Sequence, residues 1–466
     1  MQFNDAELAF AAWQADEERA RQRTVVQARR YYNGEQDTFL TTRMKQFLNA
    51  KDDNEFNLNV CRTVVGAVEE RLAFNGITTN EQGDVQPVVA WADELYEAAG
   101  LGALTRDVHD GALRDGEFFL LVDWDEAKQR PRMIPHPRYT DPEVGGDGFG
   151  CKAHYPDDDT SQPMLYASKR WTEKLPDGKA RQRMTLYYAD RVEKYELVSQ
   201  APKPIQDEGD AEWPIPWVGR IPVIHFRNTN DLRPEHWDAI PVQKGINKTL
   251  VDLLASADLT AFQIYVALGW IPTTDGKAPA ENRSNWLTLE PGQIIGTPKS
   301  RQDVDFKAMP GDDLRPLLDL LMTLISGLAV VSSTPESRVS FTRQIAAEGT
   351  LKEQNEGLFA KVRRRQAMFD QAWVEAFTVA RLLANMFGEA GLDEAVELIG
   401  SWDPIQARDT QDERDEWRVK KELGVPVEQI WAEMGYSADQ IEMMKGMDEY
   451  RARMAMMDLG LNAGEG

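Results

Sequence analysis

A chain of 466 residues is too long for one ordinary core and implies two to four domains or one elaborated subunit. Its 42% hydrophobic content, with thirteen Trp and seventeen Phe, excludes global disorder. A net charge of −24 argues against a protein that grips nucleic acid by neutralising phosphates, though not against one that lets it slide past.

Asp5, Glu7 and Asp16 to Glu18 stand where a signal peptide would carry positive charge, and residues 6–32 read as a charged amphipathic helix ending at Asn33–Gly34. A second helix is predicted from Val60 to Phe74, with Val60, Val64, Val68 and Leu72 four apart and Asn75–Gly76 as its stop. A third covers Pro87–Ala99. Strands are predicted over 118–124, 132–135, 162–172, 184–188, 192–197 and 221–226. Turns at Pro176–Asp177–Gly178 and Asp190–Arg191 make them an antiparallel meander, and 200–220 reads as a loop.

From Ile240 the period becomes helical, with Ile246, Leu250, Leu253, Leu254, Ala257, Ala261 and Ile264 on one face. A Pro- and Gly-rich insert, Gly269–Gly311, cannot continue that helix and should fold back with short strands at 286–289 and 293–296. Helix resumes at Leu314 with the stripe Leu317, Leu318, Leu321, Leu324, Ile325 and Leu328. Arg315, Pro316 and Asp319 leave this stretch too short to span a bilayer, so a soluble protein is expected. A polar turn-rich segment of Val331, Ser332, Ser333, Thr334, Pro335, Glu336, Ser337, Arg338, Val339 and Ser340 follows. Then comes a long helix, Phe341–Phe387, with a bend plausible at Gly349 or Gly357, and a helical, Met-rich tail from Trp402.

Catalytic signatures are missing. The five histidines never pair at helical spacing, Gly178–Lys179 and Gly276–Lys277 lack the Ser or Thr of a phosphate loop, and no nucleophile elbow occurs. Asp157–Asp158–Asp159 reads as a solvated turn, since three consecutive carboxylates cannot all face one ion. Cys61 and Cys151 should be reduced and buried. Neither cofactor nor metal is called for. From Ser332 to Gly388 eight basic residues face six acidic ones, Arg343, Arg363, Arg364 and Arg365 among them. From Trp402 onward the count is eight against fifteen. The arginines suit an ion-pair zone or a solvated face as well as DNA contact.

Several pieces in this order resemble the portal proteins of long-tailed bacteriophages. They are Tyr31–Tyr32–Asn33–Gly34, then Asn57 and Asn59, then Asp115–Gly116–Glu117–Phe118–Phe119 before a strand and Asp141–Pro142. Ile221 to Asn228 and Asn247 follow, and Trp402–Asp403–Pro404 leads into the tail. The likeness lies in the order helix, insert, helix, Ser/Thr–Pro segment, very long helix. It implies an α+β portal fold, mainly helical, with an antiparallel sheet in a wing over 1–239. A stem helix would occupy 240–268, a clip 269–311, a second stem helix 312–330 and a tunnel loop 331–340. The long wing helix and its sequel would fill 341–401, and a crown 402–466.

The resemblance further implies a dodecameric ring at the unique capsid vertex, assembled in the host cytoplasm and carried in the virion. Double-stranded DNA would pass through it during packaging and ejection. The implied partners are the packaging terminase, the head–tail connector and the capsid and scaffolding proteins. The tunnel loop would line the channel, with Arg343 and Arg363 to Arg365 as possible basic contacts. Leu250, Leu254, Leu317, Leu321, Leu324 and Leu328 would pack the stem. The competing readings are another ring-forming tail or baseplate protein and a carboxylate-rich metal-dependent hydrolase.

Overall fold

The computed structural model describes residues 5–36, 57–79, 86–175, 178–199, 201–207, 212–261, 265–268, 305–308, 313–340, 348–405 and 417–433, with a few isolated positions. The chain divides into two units, Met1–Asp403 and Pro404–Gly466. In the second, a helix spans Val427–Glu433 and buries Ile430.

The opening amphipathic stretch is two helices rather than one. α1 (Asp5–Gln14) and α2 (Asp16–Asn33) meet at Ala15, whose backbone is extended. They serve different cores: Ala6, Ala9, Phe10 and Trp13 of α1 pack on a sheet through Met184, Leu186, Tyr188 and Tyr195. Asp16, Glu17 and Glu18 in the first turn of α2 face the positive end of its own dipole. The stop at Asn33–Gly34 is where the sequence places it.

α3 (Val60–Glu69) is shorter than its periodicity suggests. Phe74–Thr78 is instead a strand, β1, so Asn75–Gly76 is no helix stop but part of a bulged antiparallel pairing with Ile399–Trp402. Tertiary pairing outweighs local pattern because Phe74 stacks on Trp373, with ring centroids 5.0 Å apart, in the main aromatic core.

α4 (Gln86–Ala98) matches expectation, whereas α5 (Leu101–Asp115) has no counterpart in the sequence reading. Its glycines weaken the helical signal, yet Gly111 is required by packing. A Cβ there would lie 2.3 Å from the ring of Phe118.

Two antiparallel sheets follow. One has the order β10–β2–β3, from β2 (Glu117–Asp125), β3 (Arg130–Pro137) and β10 (Val223–Arg227). The other is a true meander of β4 (Cys151–His154), β5 (Tyr166–Lys174), β6 (Ala180–Tyr187), β7 (Arg191–Val198) and β8 (Ala201–Pro204), with β9 (Ile215–Pro216) also on β7. Strands β8 and β9 lie inside the segment that reads as a loop: its prolines are tolerated because they sit at the sheet margin.

α6 (Ile240–Ala261) packs on α7 (Arg315–Val331). Helix does not persist to residue 268. Tyr265–Leu268 (β11) pairs antiparallel with Asp305–Ala308 (β12), bringing the two ends of the insert together. The strands predicted at 286–289 and 293–296 lie outside the described residues, as does Arg343. A four-residue helix, α8 (Glu336–Val339), interrupts the segment read as a loop, and Val331 still belongs to α7. α9 (Glu348–Gly388) is helical for 41 residues, about 60 Å, with Gly357 inside it. Trp402 ends strand β13 (Ile399–Trp402) rather than opening a helical tail.

Candidate channel segment and stem root

Several of the quoted sequence pieces, scattered between Tyr31 and Asn247, meet at two polar nodes, whereas Asp141 caps a separate turn and Trp402 bonds Asp370. The first lies at the root of α6. Gln243 Nε2 donates to the Leu58 carbonyl at 2.5 Å and to Asn247 Oδ1 at 2.8 Å, while Gln243 Oε1 accepts from the Val60 amide at 3.1 Å. Asn247 Nδ2 donates to Gln36 Oε1 at 2.5 Å. Gln36 in turn donates to Asn59 Oδ1, and Asn59 Nδ2 reaches the Tyr32 carbonyl at 2.8 Å. Gln36, Gln243 and Asn247 are buried, so each unmet bond would be costly. The node ties the C-terminus of α2, the start of α3 and α6 into one joint. Gln36 and Gln243 escape the sequence reading, although Gln243 and Asn247, four apart on an apolar helix, were the available signal.

The second node gathers charge. Asp115 is gripped by Arg29, at 2.9 and 2.5 Å, and by Arg114 at 2.8 Å. Glu117 meets Arg21 at 2.6 Å, Arg138 at 3.1 Å and His225 Nε2 at 2.8 Å, and Glu18 faces Arg138 and Lys152. Burial alone would raise the carboxyls of Asp115 and Glu117, but the adjoining arginines hold both below their ordinary range. His225 gives its Nε2 proton to Glu117, so Nδ1 accepts from the Tyr155 hydroxyl at 2.9 Å. Gly116 sits at φ +91° between these carboxylates, with the Leu232 carbonyl where a Cβ would go. These carboxylates are bound to cations of the fold itself and leave no converging acid set. Among the described residues no three metal-ligating side chains cluster.

The expected stem residues divide. Leu321 and Leu328 are buried with Ile325, Ile246 and Val64, and Leu324 packs beside Gly245. Leu250, Leu254 and Leu317 are half-buried. Leu318, Leu320, Met322, Val330 and Val331 of α7 are exposed, Val330 at 78%. A helix with apolar residues on both faces has more apolar surface than its own subunit covers.

The segment 331–340 is pinned along one side and open on the other. Ser332, Thr334, Pro335 and Val339 are buried, whereas Ser333, Glu336, Ser337 and Arg338 are exposed and Ser340 is half-buried. The Ser332 hydroxyl donates to the Leu328 carbonyl at 2.7 Å, and the Thr334 amide bonds to Ala329 O at 3.0 Å. Arg338 pairs with Glu70 of the turn after α3 at 2.7 Å. The segment therefore offers one polar face rather than a free loop.

Lys361 of α9 supplies the key contact, which the sequence reading counts only as one more positive charge. Its ammonium donates to the Ser332 carbonyl and lies 2.8 Å from Glu235, which Arg365 also contacts at 3.0 Å. Burial would raise the Glu235 carboxyl, but Lys361 and Arg365 together hold it below the ordinary range. Of the candidate basic contacts, Arg365 is thus committed to this internal pair, while Arg363 and Arg364 are exposed.

Elsewhere the structure supports the expected burial of the two cysteines, both free thiols, each pushed up to about 12 by desolvation. Asp157, Asp158 and Asp159 lie exposed on a turn. No helix among the described residues is long and apolar enough to cross a membrane.

No curated protein matches the chain. A family model described as phage portal protein, SPP1 Gp6-like, matches residues 13–454. That match takes in both polar nodes, the helix pair, the pinned segment and α9, and the chain belongs to the SPP1 Gp6-like family of phage portal proteins.

Proposed function

We propose that the chain is the subunit of a closed, dodecameric ring at the unique capsid vertex, through which double-stranded DNA is packaged and later ejected. In this reading α6 and α7 are the stem and the insert between them is the clip, where the terminase docks during packaging and the head–tail connector afterwards. Residues 331–340 face the channel, the α+β part forms the wing, and the tail contributes the crown. Capsid and scaffolding proteins surround the ring during assembly. The terminase supplies the energy, and the subunit has a structural task.

The observation that carries the reading is the exposed apolar surface of α7. Leu318, Leu320, Met322, Val330 and Val331 are exposed around both flanks and the rear of a helix whose Leu321–Ile325–Leu328 stripe already fills the core. Surface of that kind is covered in stable assemblies. The acidic character of the chain suits a conduit, because a wall that repels phosphate creates no deep well in which a moving duplex would stick.

Negative-stain imaging and sedimentation of the purified chain test the reading. Rings with a central hole are expected. A well-folded monomer at micromolar concentration would overturn it.

A further inference from the structure

α2 turns a ridge of cations to the solvent. Arg19, Arg23 and Arg30 are exposed on it at spacings of four and seven, on one side of the helix, Arg19 also pairing with exposed Asp16 at 3.1 Å, while Arg21 and Arg29 turn inward to Glu117 and Asp115. The ridge forms one wall of an open groove of about 590 Å³, to which Tyr139 and, near the start of α6, Lys244 also contribute. Tyr139 also lines a second groove that runs on to Val144. Val144 is 80% exposed, on a turn that is anything but loose: Asp141 caps it through the Glu143 amide at 2.9 Å, and Thr140 bonds Asp147 at 2.7 Å.

A fixed apolar tip beside a cationic groove is of no use to a duplex backbone, which would meet the arginines and leave Val144 in water. A protein face with carboxylates and an apolar spot would use both. A chain of net charge −24 presents such acidic faces as a rule. In a closed ring each subunit meets its two neighbours through different patches, so the contact need not be self-complementary.

We propose that the α2 groove, with Val144 on the groove that adjoins it at Tyr139, receives an acidic face of the neighbouring copy of this chain. The contact rests on the ring reading above and adds to it an electrostatic component beside the apolar stem.

The test compares Arg19→Glu/Arg23→Glu with Lys128→Glu/Lys174→Glu, an exposed pair outside the groove that changes the net charge equally. Sedimentation and negative stain at low salt follow ring assembly against protein concentration. The groove variant should need at least about tenfold more protein than the control to form rings, a gap that narrows as salt screens the contact. With p-benzoylphenylalanine in place of Val144, irradiated rings should give copy-to-copy adducts. Equal assembly by the two variants, or adducts formed with added duplex DNA and not between copies, would overturn the contact while leaving the ring intact. Wild-type chains that never form rings would overturn the ring reading itself, and this contact with it.

Discussion

Replacing Lys361 by Met removes one ammonium that serves two elements. Its side chain is 14% exposed and that of Glu235 only 4%, so screening by solvent is weak. A hydrogen bond to a charged group contributes about 1.5–3 kcal/mol, and orphaning a buried ion costs about 3–5 kcal/mol. Arg365 stays on Glu235 at 3.0 Å and prevents full orphaning. The expected cost of Lys361→Met is therefore about 2 kcal/mol, concentrated where the Ser332 carbonyl loses its donor. Native-state hydrogen exchange reads this locally. The amides of Ser332, Thr334 and Ser340, bonded to Leu328, Ala329 and Glu336 carbonyls, should exchange about 30-fold faster, the rate ratio for that free energy. The sign of the pH effect follows from Glu235, whose folded pKa is lowered. Its contribution is complete above the ordinary carboxylate value and fades as pH falls through the folded one, so wild type and variant should converge in acid. Exchange at these amides unchanged by Lys361→Met at neutral pH would refute the pin.

Leu321→Asp sets a charge among Ile325, Leu328 and Ile246 and should cost more than about 3 kcal/mol, read as loss of soluble protein or a much lower melting temperature. Gly116→Ala forces a Cβ to within 2.2 Å of the Leu232 carbonyl oxygen at a positive φ, and should cost at least about 2 kcal/mol; a melting temperature within a degree of wild type would contradict it. Arg338→Ala breaks an exposed pair and should cost the subunit under about 1 kcal/mol. If the segment faces the channel, Arg338→Glu should alter DNA packaging more than Arg338→Ala, with the gap shrinking as salt rises. Identical filled-head yields in both at low salt would remove Arg338 from the channel wall.

Periodicity was enough to find α2, α4, α6, α7, α9 and most of the meander, because each carries its apolar residues at one regular spacing. It failed where a long-range partner decides the local state. β1 is a strand because β13, more than three hundred residues on, pairs with it, and α5 is hidden by Gly111, whose value lies in admitting the Phe118 ring. The site was legible in part. Some of the pieces that suggest the family, Asn59, Asn247 and Gly116 among them, converge on Gln36 and Gln243 or flank Glu117. The convergence itself, and the double duty of Lys361, needed coordinates, since nothing in a linear sequence marks which of eight basic residues turns inward.

That inward turn also bears on how so acidic a chain could assemble into the proposed ring. Four buried carboxylates, Glu18, Asp115, Glu117 and Glu235, hold seven cations among them: Arg21, Arg29, Arg114, Arg138, Lys152, Lys361 and Arg365. These nodes thus draw in more positive charge than negative, which leaves the rest of the chain more acidic than the overall −24 suggests. A surface of that sign would repel a duplex, as the proposed conduit needs, but it would repel a neighbouring subunit equally. Copies can meet only where that repulsion is locally overcome. Among the described residues two places have the right chemistry: the exposed apolar surface of α7, which needs no charge at all, and the arginine ridge of α2, where the groove lining is cationic. In the proposed ring the first would supply area and the second direction.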